Sequence, residues 1–169
     1  MGKIEYTLIG SGKTIMFIHG GHGSCRCNFN YDELLKKGFS ILVPSRPGYS
    51  KTPPDHGRTA AQTAQLLKAL LEELKIDRVI VDGVSAGGPT ALEFAGLYTD
   101  NTEKLILESA VIKPWFHKLT PQYYGAKVIF SENHQKKFWY NLKHKLEENE
   151  QGTLLNNIKR FTILDYKKV

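Results

Sequence analysis

The segment Gly83-Val84-Ser85-Ala86-Gly87 constrains this chain more than any other. It joins a short β-branched run, Arg78-Val79-Ile80-Val81, to a helix-like run, Pro89-Thr90-Ala91-Leu92-Glu93-Phe94-Ala95. The first reads as a buried parallel strand. The second reads as a helix with Pro89 in its first turn and Leu92 and Ala95 on one face. A strand that turns directly into a helix brings the two backbones almost into contact. Side chains at 83 and 87 would collide there, which accounts for both glycines. Ser85 is then held in a strained conformation with its hydroxyl pointing out of the turn. The following helix start offers free N–H groups and a positive dipole end.

The neighbouring runs place this corner in a sheet. Residues 3–9 alternate as a half-exposed strand, and Gly10-Ser11-Gly12-Lys13 is a turn. Residues 14–18 form a continuous apolar strand, ended by His19-Gly20-Gly21-His22-Gly23. Tyr31 to Lys37 reads as a short helix closed by Gly38. Residues 39–43 are a second buried strand, and 46–57 a long surface loop. Thr59 and Gln62 make a capping box for a helix whose buried stripe is Thr63, Leu67, Leu70, Leu71 and Leu74. Lys104-Leu105-Ile106-Leu107-Glu108 is the last strand. The strand–helix alternation over 14–108 predicts a parallel sheet flanked by helices on both faces.

Beyond 112 the composition shifts. Trp115, Phe116, Tyr123, Tyr124, Phe130, Phe138, Trp139 and Tyr140 fall in a lysine-rich, helix-spaced stretch. The expected organisation is residues 1–112 as a sheet-bearing unit and 113–169 as a helical cap. The net charge of +6 belongs to the second unit alone, because residues 1–112 carry 12 Lys/Arg against 12 Asp/Glu. The lysines are scattered and no nucleic-acid motif accompanies them, so a solvated helical surface is the expectation. No apolar run has the length of a membrane span, and the N-terminus lacks a signal-peptide core, so cytoplasmic residence is expected. Cys25 and Cys27 make a lone C-x-C, read as free thiols; no metal and no cofactor are implied.

Three motifs occur in one order: the His19-Gly20-Gly21-His22-Gly23 turn, the Arg46-Pro47-Gly48-Tyr49-Ser50 loop and the corner at Ser85. Together they resemble the α/β-hydrolase fold family, in the group that includes esterase-like and proline iminopeptidase-like members. Ser45 stands where many relatives have Asp, and Ser50 where glycine is common. The resemblance implies that Ser85 is the nucleophile, with Gly83 and Gly87 the elbow glycines. It implies that the backbone N–H groups of Gly21 and Ala86 form the oxyanion hole. His22 falls near that hole, where a structural role in the loop is the first reading and contact with substrate the alternative, and His19 falls as a brace for the turn. The implied activity is hydrolysis of a small-molecule carboxylic ester or amide through an acyl-enzyme.

In that family the chain order is serine, acid, histidine, with the last two after later strands. No such strands follow here, so the expectation is an α/β-hydrolase-type sheet lacking its C-terminal strands, acid and histidine. His56, His117, His134 and His144 lie in the loop or cap, and Asp82 and Glu108 are the carboxylates nearest the corner. The alternative is a non-catalytic interaction module on the same scaffold. Either way, strand 104–108 becomes a sheet edge through which a homo-oligomer could form.

Overall fold

The computed structural model describes residues 3–29, 31–112 and 121–129, with isolated positions 131, 133, 136, 137, 140, 141 and 144. Its first part holds five strands: β1 (Tyr6–Gly10), β2 (Lys13–Ile18), β3 (Phe39–Pro44), β4 (Val79–Val84) and β5 (Thr102–Glu108). They form one sheet in the order β1-β3-β2-β4-β5. β2, β3, β4 and β5 are parallel. The sheet is nevertheless mixed, because β1 runs antiparallel to β3, with Tyr6 opposite Pro44 and Gly10 opposite Ser40. The turn at Gly10–Gly12 reverses the chain between β1 and β2, so β1 necessarily opposes the parallel set. β3 then inserts between them.

Helix α1 (Asp32–Lys36) lies on one face of the sheet; α2 (Ala60–Glu73) and α3 (Gly88–Leu97) lie on the other. Strand alternation sorts the core into two layers. Ile15, Phe17, Ile41, Val43 and Ile80 face α1, and Phe29, Tyr31, Leu34 and Leu35 pack against them. Met16, Ile18, Leu42, Val79 and Val81 face α2 and α3, against Leu67, Leu70, Leu71, Ala91 and Phe94. Each fully buried aliphatic side chain contributes about 1.5–3 kcal/mol.

Helix α2 begins as its sequence predicts. Gln62 N–H donates to Thr59 Oγ1 at 3.1 Å, and Thr59 N–H donates to Gln62 Oε1 at 3.2 Å. Its buried stripe is Thr63, Ala64, Leu67, Leu70 and Leu71, with Leu74 partly buried. Helix α3 differs from its sequence reading. Ala91 and Phe94 are buried, whereas Leu92 is exposed. The corner at Ser85 sets the rotation of this helix by pressing Ala91 onto Gly83, and local hydrophobicity does not override it. The 46–57 loop is also less superficial than read, since Thr52 is buried and its Oγ1 accepts from Glu5 N–H at 3.0 Å.

The chain divides into two compact units, 1–113 and 114–169. In the second, α4 spans Pro121–Ile129, with the Tyr123 and Tyr124 rings edge-on at 5.5 Å. Trp115, Phe116, His117, Phe130, His134, Phe138 and Trp139 lie outside the described residues. Among the described residues no helix is long and apolar enough to cross a membrane.

Candidate active site

Ser85 sits directly after β4 at φ 49, in the left-handed region. A single 3-10 turn, Ser85–Gly87, leads from it into α3. A non-glycine residue held there costs of order 1–3 kcal/mol and persists only where its surroundings over-determine it. They do so here. A Cβ on Gly83 would stand 2.5 Å from Ala91 Cβ and 3.1 Å from Gly88 Cα. A Cβ on Gly87 would strike the Ile18 carbonyl oxygen and lie 2.8 Å from that of His19. Val111 N–H donates to the Ser85 carbonyl at 2.9 Å. The result is a half-buried serine at the C-terminal end of a central strand.

The turn after β2 lies alongside. A Cβ on Gly20 would be 3.0 Å from Ser85 Cβ and 3.5 Å from its Oγ. Gly21 is exposed, with open space where a Cβ would be. His22 is exposed at φ 61. His19 is fully buried and both ring nitrogens are engaged. Its Nε2 accepts from Arg46 N–H at 3.0 Å, so Nδ1 carries the proton and donates to Gly20 O at 2.8 Å. Burial holds its pKa below the ordinary value, with Arg46 adding to the effect and the Gly20 carbonyl opposing it. A neutral imidazole with both nitrogens occupied braces this turn and has no lone pair left for a hydroxyl.

Arg46, quoted above only as part of a motif, turns out to join the two turns. Its Nη2 donates to Gly20 O at 3.0 Å and its Nη1 to Ala86 O at 3.2 Å. Its guanidinium lies over the Tyr49 ring at 4.8 Å, and Tyr49 meets His19 edge-on at 5.0 Å. A sequence signal existed in the spacing of Arg46 and Tyr49, three residues apart around Gly48, but it names no partner. Ser50 in the same loop has φ 51, which explains why glycine suits that position in relatives. Ser45 is buried and its Oγ accepts from Cys25 N–H at 2.9 Å. Glu5 brings a carboxylate to 3.5 Å from that hydroxyl. The Ser50 hydroxyl and the Lys51 N–H hold its pKa at about 2.

Of the other histidines, His117 and His134 lie outside the described residues. His56 is half-buried rather than exposed, and its Nε2 lies 3.9 Å from Asp55. His144 stacks edge-on against Tyr140 at 4.6 Å in the second unit. Among the described residues no three His, Cys, Asp or Glu side chains gather as a metal site. Cys25 and Cys27 are free thiols. A cavity of about 260 Å³ opens beside Ala86, lined by Arg46, Arg58, Thr59, Thr63 and Pro89 among others.

Two carboxylates meet beneath the corner. Asp82 is buried on β4, and Glu108 ends β5 opposite Val84, on the same face. Burial, reinforced by the charge of Glu108 and a hydrogen bond with it, pushes the Asp82 pKa up to about 7. An unfolded aspartate titrates near 4. Between about pH 4 and 7 the folded protein therefore holds a proton that the unfolded chain has released. Stability is complete below that window and falls as pH rises through it, by at most about 1.4 kcal/mol per pH unit. Urea midpoints at pH 5 and pH 8 should differ in that direction, and Asp82→Asn should flatten the difference. An Asp82→Asn profile parallel to the wild type would refute the assignment.

The chain is similar to known proteins in sequence and in fold. The model of the alpha/beta hydrolase fold matches residues 13–162. An uncharacterized hydrolase of Bacillus subtilis, YcgS, is 37% identical over 138 residues, covering 82% of this chain and 49% of the relative. A 2-hydroxy-6-oxononadienedioate/2-hydroxy-6-oxononatrienedioate hydrolase of Pseudomonas putida is 32% identical over 112 residues, 62% of this chain and 39% of the relative. In structure, an alpha/beta hydrolase fold protein from Nakamurella multipartita superimposes with a TM-score of 0.66 at 23% identity, covering 86% of this chain and 50% of that one. The chain thus spans half or less of the length of these relatives. With five strands in this order, a strained serine at the end of β4 and a family match over most of its length, the chain belongs to the α/β-hydrolase fold family.

Proposed function

We propose that this chain carries the nucleophile and oxyanion site of a serine hydrolase that cleaves a carboxylic ester or amide through an acyl-enzyme. The observation that carries the proposal is the left-handed Ser85, packed against the Gly20–Gly21 turn. Ser85 Oγ attacks the carbonyl carbon, and the carbonyl electron pair moves onto oxygen. The N–H groups of Gly21 and Ala86 receive that oxyanion at no reorganisation cost. Collapse expels the alcohol or amine, which takes up a proton, and water then hydrolyses the ester on Ser85. His22 borders the substrate at the exposed end of the turn. The relatives named for an oxo-dioate substrate extend the assay panel to keto carbonyls, since attack there builds the same charge.

A serine hydroxyl needs a base. We assign that base, and the acid that orients it, to polypeptide corresponding to the rest of the relatives' length. The test is labelling of Ser85 by a fluorophosphonate probe, in this chain alone and together with the remaining half of YcgS. Labelling that maps to Ser85 and rises when the second half is added supports the reading. Absence of labelling in both samples, with the second half shown to be bound, sinks it.

The second reading is an interaction module without catalysis, and the β5 edge favours it. Leu105, Ile106 and Leu107 are 37%, 42% and 39% exposed. An apolar edge strand is a template for another strand. On this reading the edge joins two copies of the chain, and Ile106→Lys should restore a monomer in light scattering. A wild-type protein that is monomeric at high concentration would exclude self-pairing.

A further inference from the structure

Each N–H proposed to hold the oxyanion is one end of a rigid planar peptide whose other end is a carbonyl. Gly21 N–H shares its plane with Gly20 C=O, and Ala86 N–H with Ser85 C=O. Both carbonyls are pinned. Ser85 O accepts from Val111 N–H at 2.9 Å. Gly20 O takes two donors, His19 Nδ1 at 2.8 Å and Arg46 Nη2 at 3.0 Å. Through Nη1 the same guanidinium reaches Ala86 O at 3.2 Å, and so fixes the next peptide, whose N–H is that of Gly87.

One planar cation therefore ties the turn after β2 to the turn after β4. Among the described residues no carboxylate forms an ion pair with Arg46; Tyr49 lies against its guanidinium, and its Nε is buried without a partner. Such a cation does little for stability by itself.

We propose that Arg46 is the positioning residue of the oxyanion site, fixing the Gly20–Gly21 and Ala86–Gly87 peptide planes. The geometric part stands on the hydrogen bonds alone; the link to an oxyanion rests on the function proposed above. The guanidinium presents its two donors from separate nitrogens in a rigid plane, whereas lysine carries its donors on one flexible atom, so lysine is a poor replacement.

The test pairs amide NMR with Ser85 labelling in Arg46→Met and Arg46→Lys. In Arg46→Met the Gly21 and Gly87 amide resonances should move, because each loses a donor on the carbonyl of its own peptide. Ala86 should stay, because its peptide is held by Val111. Fluorophosphonate labelling should slow by about tenfold or more, within the hundred- to thousand-fold that removing a whole oxyanion donor costs. Arg46→Lys should restore one resonance at most and recover part of the rate. Unmoved Gly21 and Gly87 resonances overturn the positioning role. Moved resonances with an unchanged labelling rate overturn the link to the oxyanion. Moved resonances in a protein whose Ser85 never labels uphold the positioning and count against the proposed activity instead. If Arg46→Met does not fold, the unmodified protein decides: Arg46 Nη protons resolved and slow to exchange support the bridge, and averaged, fast-exchanging ones overturn it.

Discussion

Gly87→Ala should destabilise the fold by about 3 kcal/mol or more, at the upper end of what overpacking usually costs. Gly87 has φ −78 and ψ −19, a conformation open to any residue, so the effect is purely spatial. The added methyl would strike the Ile18 carbonyl oxygen, with that of His19 2.8 Å away. Both belong to main chain that cannot yield. Ile18 is in register with Gly83 across β2 and β4, and His19 is anchored through both ring nitrogens. Gly83→Ala meets Ala91 Cβ at 2.5 Å and should cost less, because a helix can slide over its packing face more easily than a central strand can leave its ladder. Gly96 in the same helix supplies the control. Nothing lies within 4 Å of a Cβ there, so Gly96→Ala should leave stability equal or raised by up to about 1 kcal/mol. Urea denaturation of the three variants checks the ranking. A Gly87→Ala midpoint matching the wild type would mean that the corner is not as tight as described.

Ser85→Ala should produce the largest functional loss, with little change in stability. Alanine keeps the Cβ that packs near Gly20 and removes only the hydroxyl. On the proposed chemistry, labelling at this position disappears. Hydrolysis by the chain combined with the remaining half of YcgS should fall by about four to six powers of ten. Ser85→Gly separates chemistry from strain. It loses the same activity but relieves the left-handed backbone at φ 49, and should raise stability by about 1 kcal/mol. Equal stability for the alanine and glycine variants would show that the serine stores no strain. Retained hydrolysis in Ser85→Ala would remove Ser85 from the mechanism.

Much of this was readable from residue order. The Gly-x-Ser-x-Gly corner announces itself because two glycines flanking a serine between a β-branched run and a helix leave few other backbones. The capping box at Thr59 and Gln62 is a local event between residues three apart, and it forms as read. Long-range placement was a different matter. Leu92 is the more apolar of the two, yet Ala91 is buried and Leu92 exposed, because Gly83 on another element fixes the helix rotation. Asp82 and Glu108 stand 26 positions apart in the chain and meet only because β5 pairs with β4. Arg46 looked like one letter of a loop motif. Its carbonyl partners at 20 and 86 belong to separate turns that only the sheet brings together.

The sequence by itself determined the local devices: which segments extend, which coil, where the chain must turn sharply and which side chain that turn exposes. Those follow from sterics and periodicity within a few residues. The tertiary structure decided the neighbours: which glycine meets which carbonyl, which acids come together, and which cation spans two loops. Such contacts depend on strand order and register, which arise from the packing of whole elements and leave no mark in the spacing of any single one.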